Sequence, residues 1–245
     1  MTLQFGATLD TRTMTNHIKD QYTGSVASEY ESKRQSEAKW CSEQEIVGAI
    51  LEQISVAADE QLSLLDVPVG TGRFIPFYKE FGFSATGADI SNDMLSEASN
   101  KAAELGFPIE LKNDSIEQLS FDDGVFDNVL CIRILNWVDF NSLSRIFGEL
   151  SRVSVRNLVV GIRVSEVEQH WAIRSIADLF SYWGVVGYRA IKAKLRPGRL
   201  KIHRETRVLR LFEEHGVNVQ ARVLVDRAPR HSSYYIYHLV PRKSQ

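Results

Sequence analysis

The sequence predicts an α/β fold: a doubly wound, mostly parallel seven-stranded sheet with an antiparallel last strand and a helical cap insertion. Three observations predict it. Short apolar runs alternate with helical patterns from Leu62 to Val164, as in a parallel sheet covered on both faces. One of these runs, Leu64-Leu65-Asp66-Val67-Pro68-Val69, passes through an acid into the tight turn Gly70-Thr71-Gly72 and then a helical pattern. At the end, two strand patterns arrive with no helix between them, and seven residues are too few for a parallel crossover.

The elements follow in order. Met1 to Ile18 reads as loosely ordered, and Tyr22 to Trp40 is polar and aromatic. Ser42-Glu43-Gln44-Glu45 has the pattern of a capping box, so a helix is expected to start there, with Ile46, Ile50 and Ile54 on one face. The expected strands are Leu62–Val69, Ala85–Ile90, Ile109–Asp114, Phe126–Ile132 and Asn157–Val164. The helices between them are expected near Phe74–Phe81, Asn92–Leu105 and Asn141–Val153. Ser91 suits the N-cap of the second, and Gly82 and Gly106 suit the residues that follow the first two. After a helix at Glu205–His215 come the strands Asn218–Asp226 and Tyr234–Val240. Residues 1–56 form an N-terminal lid or helical segment, and 57–245 the main domain with a cap at about 165–201. That cap carries Trp171, Phe180, Tyr182, Trp183 and Tyr188, which would wall a substrate or bury a homodimer interface.

The 245 residues are 44% hydrophobic and 24% charged, which fits one globular domain with an insertion. A net charge of −2 makes no electrostatic case for nucleic acid or a membrane surface. No run approaches the roughly 20 apolar residues of a membrane span. Two cysteines, Cys41 and Cys131, give no disulfide framework, and no ligand spacing suggests a metal. A cytoplasmic protein is expected.

The glycine turn permits a sharp bend and close approach of a ligand, and the following helix offers free N–H groups. Asp89 would end the second strand, where a carboxylate can take both hydroxyls of a ribose. A purely structural strand–helix turn would use the same glycines; the acids that follow in register favour binding. Asp114 is open to a rival reading as a turn acid before Ser115.

Taken together, the chain resembles the class I S-adenosylmethionine-dependent methyltransferases. Asp66-x-x-x-Gly70-x-Gly72 looks like their first motif, and Asp89 matches the acid after strand two. Asn113-Asp114-Ser115 matches the acid-bearing turn after strand three, and Phe126 to Cys131 looks like strand four. The match runs from Leu62 to Val240. Pro68 stands where the family often has glycine. The resemblance implies a Rossmann-like methyltransferase fold and S-adenosyl-L-methionine as cofactor. It implies that Gly70 and Gly72 pass the methionyl part, that Asp66 supports the turn and reaches the ammonium directly or through water, and that Asp89 holds the ribose. Asp114 would face the adenine amine beside Ser115, Ile90 and Ile116 would sandwich the ring, and Cys131 would pass the sulfonium.

Arg133 and Arg163 would stand at the C-terminal edge of strands four and five, where doubly wound sheets bind ligands. They could fork onto an anionic group of the acceptor or pair with Asp139 or Glu166. Trp171 and Tyr22 are further candidate substrate contacts. His170 and His203 are candidate general bases, each with packing as the plain alternative. Lys192, Lys194, Arg196, Arg199, Lys201, Arg204 and Arg207 form a local basic run. The expected function is methyl transfer to an oxygen or nitrogen of a small, anionic molecule. The alternative is a non-catalytic adenosylmethionine-binding or regulatory module. A nicotinamide oxidoreductase is disfavoured, because Ile75 stands where its third glycine belongs.

Overall fold

A computed structural model describes residue 29 and residues 37–165, 200–228 and 232–242. In chain order the elements are α1 (Ala38–Val56), β1 (Ser63–Asp66), α2 (Ile75–Glu80), β2 (Ser84–Asp89), α3 (Asn92–Leu105), β3 (Glu110–Asn113) and β4 (Phe126–Cys131). They continue with α4 (Phe140–Val153), β5 (Ser154–Ser165), β6 (His203–Arg204), α5 (Glu205–Glu214), β7 (Val217–Ala228) and β8 (Ser232–Pro241).

The strands form one sheet in the order β3-β2-β1-β4-β5-β8-β7. Pairs from β3 to β5 are parallel. β8 runs antiparallel to both β5 and β7, as the missing crossover required. An eighth strand, β6, is an addition to the expected seven. It is two residues long, too short to leave a periodic signal, and pairs with Val164 and Ser165 beyond the end of β4. The β1 ladder ends earlier than its apolar run, because Pro68 has no N–H to give; the Val67–Pro68 bond is cis. Two apolar layers cover the sheet. α4 and α5 supply one through Leu143, Ile146, Phe147, Leu150, Leu211 and Phe212. α1, α2 and α3 supply the other through Val47, Leu51, Tyr78, Ala98 and Ala102.

Several local signals act as read. Ser91 caps α3 by accepting from the Met94 N–H, and Gly82 and Gly106 have positive φ after α2 and α3. The capping box at Ser42 does not act. α1 starts at Ala38, four residues earlier, with no side-chain cap at Glu37. The extra turn buries Trp40, so tertiary contact overrides the local cap signal. The expected cap at 165–201 lies outside the described residues apart from its two ends, as do Tyr22, His170 and Trp171.

Candidate active site

β1 delivers the chain to the glycine turn at the C-terminal edge of the sheet, and the two glycines there differ in surroundings. At Gly70 (φ 55°) a Cβ would meet nothing within 4 Å, and the residue lines a cleft. At Gly72 (φ 74°) a Cβ would lie 2.5 Å from Ile75 Cδ1 and 3.1 Å from the Ala98 Cα. Gly70 thus faces open space, whereas Gly72 lets α2 and α3 close on the turn.

The cleft has about 1120 Å³, part of it open to solvent. Its lining includes Trp40, Gly70, Arg73, Asp89, Asp114 and Arg133, with Ile90, Ile116, Ile132, Ile134 and Trp137 as apolar surface. Asp89 is 7% exposed. Its Oδ2 accepts from the Gly70 N–H at 3.0 Å and its Oδ1 from the Ser91 N–H at 2.9 Å. One carboxylate therefore pins the glycine turn to the end of β2. Burial pushes its pKa up, and the N–H groups of Ser91, Gly70 and Ile90 oppose that shift. Both oxygens retain acceptor capacity for hydroxyls.

Asp114 also lines the cleft. It accepts from the Ser115 N–H at 2.8 Å and from the N–H and hydroxyl of Ser120 at 2.9 and 2.6 Å. Asp114 thus organises its own turn and also borders the cleft. Ile90 is half-buried and Ile116 buried.

Other expected contacts stand elsewhere. Ser115 and Cys131 do not line the cleft; Cys131 is fully buried, which pushes its thiol well up. Asp66 lies beneath the turn and accepts from the Tyr78 hydroxyl at 2.7 Å. Burial pushes Asp66 up to about 7, against the Tyr78 hydrogen bond. An acid whose pKa is raised on folding stabilises the native state only while protonated. From 3.8 to about 7 the native state holds the extra proton, so this contribution falls as pH rises through that window. The total is on the order of 4 kcal/mol. Urea unfolding at several pH values should show the wild type losing stability against Asp66→Asn between pH 4 and 7. A constant difference would contradict this.

His203 was a candidate base, and the structure corrects that. It is buried outside the cleft, with Nε2 3.0 Å from the Leu135 carbonyl oxygen. A carbonyl only accepts, so Nε2 carries the proton; burial lowers the pKa of the ring. Arg163 is not among the residues that line the cleft; it pairs with Asp226 at 2.7 Å, and Glu166 lies outside the described residues. Arg133 does line the cleft, at φ 70°, and its Nε donates to Glu43 at 2.6 Å.

Two groups were missed. Glu43 is fully buried and also accepts from Arg73. Asn136 accepts from the Arg163 N–H at 2.6 Å and donates to the Arg163 and Lys201 carbonyls at 2.9 and 2.8 Å. It ties the segment returning at residue 200 to β5. Neither contact leaves a local signal, since the partners lie 27 to 90 residues away. Among the described residues no group of His, Cys, Asp or Glu could hold a metal ion, and no helix is long and apolar enough to cross a membrane.

A family model for a methyltransferase domain matches residues 64–157, the span that contains the glycine turn, Asp89 and Asp114. Over these residues the chain is similar to a methyltransferase domain. The chain is 35% identical over 92 residues to phosphatidylethanolamine N-methyltransferase from Cereibacter sphaeroides, covering 37% of this chain and 44% of the relative. It is 31% identical over 120 residues to malonyl-[acyl-carrier protein] O-methyltransferase from Pectobacterium atrosepticum, covering 46% and 45%. The chain thus spans less than half the length of these relatives. The methyltransferase fold extends further. Magnesium protoporphyrin IX methyltransferase from Synechocystis PCC 6803, crystallised with S-adenosylhomocysteine, superposes with a TM-score of 0.68 over 93% of this chain and 99% of that one, at 17% identity.

Proposed function

We propose that this methyltransferase domain moves the methyl group of S-adenosylmethionine to an oxygen or nitrogen of a small, anionic acceptor. The observation that carries the reading is the Asp89 carboxylate, which lines the cleft and is fixed by the Gly70 and Ser91 N–H groups. The residues fit the cofactor. Gly70 faces open space, two acids border the cleft, and Ile90 and Ile116 offer apolar faces to a ring. The bound cofactor supplies an electrophilic methyl on a sulfonium.

The chain's part is to bind and align. Asp89 would take the ribose hydroxyls and Asp114 the adenine amine. Gly70 would admit the methionyl part, while Asp66 and Gly72 support the turn from behind. Holding the acceptor atom in line with the methyl can supply much of the rate. Arg133, at the edge of β4, would hold the acceptor's anionic group. The relatives' names, one an N- and one an O-methyltransferase, support a heteroatom acceptor. Of the N-terminal segment, Trp40 of α1 lines the cleft. The free thiols Cys41 and Cys131 are in keeping with a cytoplasmic setting.

Thermal unfolding tests the cofactor assignment. S-adenosylhomocysteine at about 100 times its Kd should stabilise by about 2.7 kcal/mol, a rise of about 5–10 °C for a chain of this size. Stabilisation by NADH instead would overturn the reading. Labelled S-adenosylmethionine with pooled small acids and amines then tests transfer. Binding without transfer would favour the non-catalytic alternative.

A further inference from the structure

Glu43 is an unexplained buried group behind the cleft residues Trp40, Arg73 and Arg133. A carboxylate on α1 is fully buried, which is unfavourable unless its charge is matched. It is matched by two guanidiniums from distant parts of the chain. Arg73 directly follows the glycine turn, and Arg133 follows β4. α1 holds both in further ways. The Trp40 ring lies 3.6 Å from the Arg73 guanidinium carbon and 4.7 Å from that of Arg133. Arg73 also donates to the Trp40 carbonyl and to Gln44. Arg133 keeps a left-handed backbone (φ 70°) that a residue with a Cβ adopts only at a cost. Such strain persists where the surroundings fix it, and here the Glu43 contact and the Trp40 ring do so.

Arg73 and Arg133 both line the cleft. Two planar guanidiniums converging on one carboxylate at a cleft wall suit an anion with paired oxygens. We propose that Glu43 is a positioning residue that holds Arg73 and Arg133 as an anion-binding pair, whose ligand is a carboxylate or phosphate in the cleft. The proposal rests on reading the cleft as the adenosylmethionine site. The anion has two possible sources: the cofactor's own methionyl carboxylate, or the acceptor.

Titration calorimetry distinguishes them. The ligands are S-adenosylhomocysteine and 5′-methylthioadenosine, which lacks the amino-acid end. Inorganic phosphate and acetate are then titrated into protein saturated with S-adenosylhomocysteine. The variants are Glu43→Gln and the less buried Arg133→Gln, each checked by circular dichroism. A loss of tenfold or more for S-adenosylhomocysteine, with methylthioadenosine within twofold, supports the pair and names the cofactor carboxylate. Unchanged affinity for both, with loss of a phosphate or acetate site that the wild type has, supports the pair and names the acceptor. Equal loss of both adenosyl ligands overturns the proposal, since the residues would then only hold the fold. No change for any ligand in either variant also overturns it. Should the wild type bind neither adenosyl ligand, the cleft reading itself fails, and the proposal with it.

Discussion

Asp89→Ala should weaken S-adenosylhomocysteine about a hundredfold, measured by calorimetry. Two hydrogen bonds from ribose hydroxyls to a carboxylate contribute about 1.5 kcal/mol each at the low end, and every 1.4 kcal/mol is tenfold in Kd. A second loss adds to the first. The same carboxylate accepts from the Gly70 and Ser91 N–H groups, and alanine leaves the turn untethered from β2. The variant should therefore also unfold about 1–3 kcal/mol more easily. Asp89→Asn keeps one acceptor oxygen and separates the effects, restoring part of the stability while still losing affinity. Full affinity in Asp89→Ala would mean that the ribose lies elsewhere.

Gly72→Ala should cost about 3 kcal/mol or more of folding stability, read by urea unfolding. Two penalties combine. A left-handed backbone costs a residue with a Cβ about 1–2 kcal/mol, and Gly72 sits at φ 74°. Overpacking a closed contact costs about 1–3 kcal/mol more, and the new methyl would press on the Ala98 backbone at 3.1 Å, which has no rotamer to change. Gly70→Ala shares the first penalty alone, because nothing lies within 4 Å of its Cβ position. It should fold with a smaller loss and damage cofactor binding instead. Equal losses in the two variants would refute this division of labour.

The contrast shows what could be read from sequence. The glycine turn, the acids after β2 and β3, and the closing antiparallel pair rest on nearby residues, and these were legible. So were Ser91 as a cap and Gly82 and Gly106 as helix ends. Contacts across the sheet were not. Glu43 looked like part of a capping box because Ser42 precedes it and Glu45 follows; its partners at 73 and 133 are brought to it only by the assembled fold. Arg163 was placed at the right edge, yet its partner on β7 is 63 residues away. His203 suited a base until the fold turned its Nε2 onto the Leu135 carbonyl. Sequence locates a residue along a strand; its charge partner is set by which strand lies alongside.

The smallest strand has the widest consequence. β6 pairs in parallel with Val164 and Ser165, so the chain that departs at Ser165 is bonded to the same spot when it returns at His203. The two ends are therefore fixed beside one another in the sheet. Closure entropy grows only with the logarithm of length, so doubling the number of residues between two such ends would cost only about 0.6 kcal/mol. The paired ends form a splice point: a longer segment joined between Ser165 and His203 should leave the parallel ladder from β3 to β5 intact.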